Sequence, residues 1–158
     1  MDRLVLLLEN KGAITLRVLS IPAGGTFELI KEYQIHSFPN PRSYDFSGLV
    51  TFRKKGGIME SLYSVQQTIV IDVHHKDWLE DIKVLDRNIQ DRIKGYIEER
   101  KRNFGFSKPN FMFWILSKEK DLLHEPHPVQ NYNNHVYFMY EEICSGEKIV
   151  AIDSKKKR

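Results

Sequence analysis

A chain of 158 residues has room for one well-buried core, so a single domain over 1–154 with a basic flexible tail at 155–158 is expected. Apolar residues at 41% and aromatic residues at 11% exclude global disorder, because that much hydrophobic surface offsets the conformational entropy of folding. The net charge of +3 does not by itself indicate a polyanionic partner, and the single cysteine, Cys144, excludes an internal disulfide and a thiolate metal centre.

A reducing, cytoplasmic setting is expected. The apolar run at 4–8 is too short for a signal peptide, and no stretch approaches the roughly 20 apolar residues of a membrane span.

In chain order, residues 3–8 are apolar and read as a buried strand, followed by a turn signal at Asn10, Lys11 and Gly12. Ile14, Leu16 and Val18 then alternate with Thr15 and Arg17, so 3–20 predicts a hairpin. Phe27, Leu29, Tyr33 and Ile35 alternate imperfectly with polar residues as a third strand. Turn formers crowd 37–48, which reads as an exposed loop. A strand at 49–53, a tight turn at 54–57 and a β-branched strand at 68–73 follow, with 58–64 as strand or helical turn.

Asp77 and Glu80 have the spacing of a capping box. Behind them Trp78, Ile82, Leu85, Ile89, Ile93 and Tyr96 recur at steps of three and four, which predicts one long amphipathic helix over 77–102, bent at Gly95. Residues 111–116 form a short apolar strand, 124–134 a linker, and 135–152 a C-terminal hairpin turning at Ser145 and Gly146. The fold class is α+β: an antiparallel or mixed sheet of about seven to nine strands, curled or two-layered, with the long helix packed on it.

Candidate metal ligands gather where the 68–73 strand ends, at Asp72, His74, His75 and Asp77, since imidazole and carboxylate suit zinc, manganese or iron. Alternation places Asp72 and His74 on one strand face and His75 on the other, so a metal needs a further ligand such as His36, His124 or His127. Asp77 has a competing role as helix cap. The stretch from His36 to Asp45 resembles the JAMM metalloprotease motif, but departs from it where Phe38 stands in place of a second histidine. No phosphate-cradling glycine loop and no GxSxG elbow occur, and Glu141, Glu142 and Glu147 around Cys144 would raise its pKa.

Binding residues are easier to find than catalytic ones. Arg92, Arg100, Lys101 and Arg102 on the helix, with Lys155, Lys156, Lys157 and Arg158 in the tail, have the character of a phosphate-neutralising surface. Asp86, Asp91, Glu98 and Glu99 share that helix. Tyr137, Phe138 and Tyr140 make a strand apolar on both faces, which predicts either a central position or a partner subunit. The expected function is a non-enzymatic binding or assembly module, protein-facing or self-associating through the aromatic C-terminal hairpin. Nucleic acid is the candidate second partner, and neither a cofactor nor a membrane partner is expected. The alternative is a metal-dependent hydrolase using Asp72, His74 and His36.

Overall fold

The computed structural model describes residues 16–45 and 48–154. In chain order the elements are β1 (Arg17–Pro22), a 3-10 turn (Gly24–Thr26), α1 (Phe27–Tyr33), β2 (Ile35–Pro39), β3 (Leu49–Arg53) and β4 (Ser61–Asp72). Then come α2 (Trp78–Asp81), α3 (Arg87–Asn103), β5 (Asn110–Asp121), β6 (His127–Pro128), β7 (Val136–Met139), α4 (Tyr140–Ile143) and β8 (Ile149–Val150). The fold is mixed α+β. Six strands are ordered β2-β5-β4-β3-β1-β7, and β6 and β8 form a separate parallel ladder. The expected sheet of about seven to nine strands is thus a six-stranded sheet with a small second one. No helix among the described residues is long and apolar enough to cross a membrane.

Contacts divide the chain into two compact units. The first holds the described parts of 1–27, 45–64 and 118–158. Its central strand, β1, is buried along most of its length and pairs in parallel with β3 (Val18 opposite Leu49) and antiparallel with β7 (Leu19 opposite Tyr137). The first arm of the expected 3–20 hairpin lies outside the described residues. The expected C-terminal hairpin does not form: β7 pairs with β1, the chain makes the short turn α4, and Ile149 and Val150 pair with His127 and Pro128. Burial explains the change, because Phe138, Ile143 and Val150 all enter one core with Val18, Leu49 and Leu62. A plain hairpin would not turn all three side chains inward, since strand faces alternate.

The second unit holds 28–44 and 65–117. Residues 65–70 of β4 alternate half-buried and exposed, the mark of a strand covered on one face. Ile93, Tyr96 and Ile97 of α3 pack into a core with Ile35, Phe113 and Ile115. Where a third strand was expected at 27–35, Phe27–Tyr33 is helical. Phe27, Ile30 and Tyr33 recur at helical spacing, and the buried Leu29 beside the buried Ile30 defeats a period of two.

The long helix expected over 77–102 is also corrected. It is broken into α2 and α3 because Asp86 is extended (φ −56, ψ 147), and the Gln90 amide donates to Leu85 O at 2.7 Å and Lys83 O at 3.3 Å. The break leaves Val84 exposed, while Ile82 stays buried. No capping box forms, since the Asp77 side chain makes no cap bond and Glu80 pairs with Lys83 at 2.9 Å. Gly95 does not end or divide α3. It makes room for Tyr33, whose ring would lie 2.5 Å from a Cβ at that position.

Candidate functional site

The expected metal ligands are held apart by local bonding. Asp72 Oδ1 accepts the His74 N–H at 3.0 Å, His75 Nδ1 accepts the Asp77 N–H at 3.2 Å, and His74 Nε2 lies 3.1 Å from Phe106 O. His124 Nε2 lies 2.9 Å from Ile143 O. His36 sits on β2, buried against the Phe38 and Trp114 rings at 5.6 and 5.9 Å. Burial drives its pKa down to about 3, helped by the Arg100 and Arg42 cations, so the ring is neutral at ordinary pH. Among the described residues no three His, Cys, Asp or Glu side chains gather where a metal could be held. Burial, and not the nearby glutamates, pushes the Cys144 thiol up and away from the nucleophilic thiolate, with Lys120 and Tyr140 opposing it.

The basic residues of the helix divide by role. Arg92 donates from Nε to Tyr33 O at 2.9 Å and from Nη2 to Gln34 O and Leu116 O at 2.8 and 2.9 Å. Arg100 donates to Ser37 Oγ at 2.9 Å, to Tyr96 Oη at 3.1 Å and to Gly105 O at 3.0 Å, and its guanidinium lies 4.5 Å from the Phe106 ring centre. Both are bound into the fold. Lys101 and Arg102 are exposed, the former 5.8 Å above Trp78. The outer face carries both signs: Arg87 pairs with Asp91 at 3.4 Å, and Glu98 stands between Lys94 and Lys101. Lys155, Lys156, Lys157 and Arg158 lie outside the described residues.

The aromatic residues of β7 are engaged within the first unit. Phe138 is fully buried, and the Tyr137 ring lies 4.1 Å from the Arg17 guanidinium while its hydroxyl donates to Asp45 O at 2.6 Å. Arg17 in turn pairs with Asp153 at 2.9 Å.

What the structure does bring together is a cationic pocket of about 250 Å³ in the same unit, at the turn between β3 and β4. Gly57 N–H donates to Lys54 O at 2.8 Å, and Gly56 at the third position has φ +93, which a type II turn requires. Gly57 also has a left-handed φ of +89, and its bare Cα lies against the chain at Pro128 and Asn131, so that segment contributes Asn131 and Tyr132 to the wall.

Arg53, the last residue of β3, forms the floor at only 4% exposure. Its Nη1 donates to Tyr132 O at 3.2 Å and its Nη2 to Asn134 O at 2.8 Å, while Nε is buried with no acceptor. Burial lowers the pKa of Arg53, with Tyr132 opposing it, and among the described residues no carboxylate partner offsets the cost of burying the charge. Lys54 is held by Glu60 at 2.7 Å, and Lys55 is exposed and makes no ion pair with a described residue. Among the described residues no carboxylate lines the cavity. This is chemistry for holding an anion.

The sequence marked 54–57 as a turn without marking it as a site. The available signal was three consecutive cations, Arg53, Lys54 and Lys55, running into Gly56 and Gly57. The chain matches no family model, no curated protein and no solved structure.

Proposed function

We propose that this chain is a non-enzymatic binding module whose partner presents an anionic group to the pocket between β3 and β4. The observation that carries the reading is Arg53, a buried guanidinium bonded to backbone carbonyls with no carboxylate beside it among the described residues. A charge removed from water in this way is stabilised when a counter-ion arrives, so the pocket favours an anion over a neutral ligand. Lys55 at the rim supplies attraction during approach.

Thermal unfolding at constant ionic strength tests the reading. Sodium phosphate stabilises the folded chain relative to sodium chloride, by about 2.7 kcal/mol when phosphate is a hundredfold above its Kd. Lys55→Glu, a change at an exposed position, removes that gain. Equal phosphate responses from the two proteins would overturn the proposal.

A further inference from the structure

We infer that the group seated in this pocket is a dianionic tetrahedral oxyanion, the terminal phosphate of a phosphomonoester; this rests on the anion-binding reading above and makes it more specific. The count of charges is the first reason. Among the described residues Arg53, Lys54 and Lys55 bring three positive charges and the Glu60 carboxylate held by Lys54 offsets one, a surplus of two. A phosphodiester carries a single negative charge and a phosphomonoester close to two at neutral pH, so of the two esters the monoester matches the site.

The second reason is shape. The three cations all line this one small pocket, an arrangement for a single group and not for a backbone of repeated charges. At about 250 Å³ the cavity is smaller than the roughly 300–1,000 Å³ of pockets that enclose whole ligands. It therefore seats a head group while the rest of the ligand stays outside.

The third reason is the supply of donors. The Lys55 and Gly56 N–H groups make no hydrogen bond with a described residue. Asn131 adds an amide. Consecutive N–H groups in a turn, with the Asn131 amide and the positive charge of Arg53 behind them, suit the several acceptor oxygens of a phosphate better than the two of a carboxylate.

Isothermal titration with methyl phosphate, dimethyl phosphate, acetate and sulfate at pH 5 and pH 7.5 tests the inference. Methyl phosphate binds at least tenfold more tightly than dimethyl phosphate or acetate at pH 7.5. Its affinity rises about tenfold between the two pH values, because a phosphomonoester loses its second proton near pH 6. The groups facing or flanking the ligand are Arg53, Lys54 with Glu60, Lys55, Tyr132 and, beside Gly57, His127. Sulfate, doubly charged throughout, registers any titration of these groups, and its affinity changes much less than that of methyl phosphate. Lys55→Ala weakens methyl phosphate about tenfold, whereas Lys108→Ala, in the other unit, leaves it unchanged. Dimethyl phosphate or acetate binding as tightly as methyl phosphate, or an equal pH response from sulfate, overturns the dianion while leaving an anion site in place. Absence of binding by all four removes the anion-binding reading itself.

Discussion

Arg92 donates from Nε and Nη2 to the backbone carbonyls of Tyr33, Gln34 and Leu116, a spread that the forked guanidinium covers and a single ammonium nitrogen does not. Lysine in its place keeps the charge and offers one compact ammonium. Arg92→Lys is therefore expected to lower the free energy of unfolding by about 1–2 kcal/mol, discounted for partial exposure, because carbonyls are left without a partner. Urea denaturation measures this, and an unchanged midpoint would sink the assignment. Tyr96→Phe is a milder test of the neighbouring cluster. It removes the hydroxyl that lies 2.8 Å from Ser37 Oγ and accepts from Arg100, at an expected cost of about 1 kcal/mol. The sequence showed these arginines as part of a basic face, since residue type alone does not separate a guanidinium in solvent from one bonded to carbonyls. Spacing held the missed signal. Arg92, Tyr96 and Arg100 recur at steps of four along the flank of the buried Ile93 and Ile97, and that is where a long cationic side chain bends back over the core.

At the scale of elements, α3 was legible from its apolar stripe, and its start was not. The stripe runs through Ile82, Leu85 and Ile89 across the break, because a turn that keeps those side chains inward satisfies the same periodicity as a helix. Likewise 27–33 has apolar residues at both strand and helix spacing, and only burial of the adjacent Leu29 and Ile30 decides for α1. Gly95 gives a test in which two effects oppose. Alanine would raise helix propensity by about 1 kcal/mol, but its Cβ would lie 2.5 Å from the Tyr33 ring, whose hydroxyl donates to Glu99 at 3.0 Å. The clash is expected to win, so Gly95→Ala destabilises by about 1–3 kcal/mol, as overpacking does. In a Tyr33→Leu background the same change becomes neutral or stabilising. Thermal melts of the four proteins complete the cycle, and a Gly95→Ala cost unaffected by Tyr33→Leu would show that the ring is not the reason for the glycine.

At the scale of the molecule, local patterns recorded which faces are buried and left open which strands are neighbours. Pairings such as Val18 with Phe138 and Ile35 with Ile115 join residues distant in sequence, and no periodicity within either segment encodes its partner. The same long-range closure buries His36, which the sequence presented as a strand-end ligand, beneath Phe38 and Trp114. A consequence for stability follows from that burial. His36 is neutral in the folded state down to about pH 3, chiefly through burial and then through Arg100 and Arg42, whereas in the unfolded chain it takes up a proton near the usual 6.5. Between these values the unfolded state holds the extra proton, so the contribution of the neutral ring is fully present above pH 6.5 and is lost progressively as the pH falls. The slope from one such group is about 1.4 kcal/mol per pH unit. The measurable quantity is a difference between two proteins. His36→Gln keeps a polar side chain that cannot be protonated, and between pH 6 and 4.5 its unfolding free energy should fall less steeply than that of the parent by about 1 kcal/mol per pH unit. Parallel profiles would mean that His36 is solvated or charged in the folded chain, and the packing of its aromatic neighbours around a neutral ring would have to be abandoned.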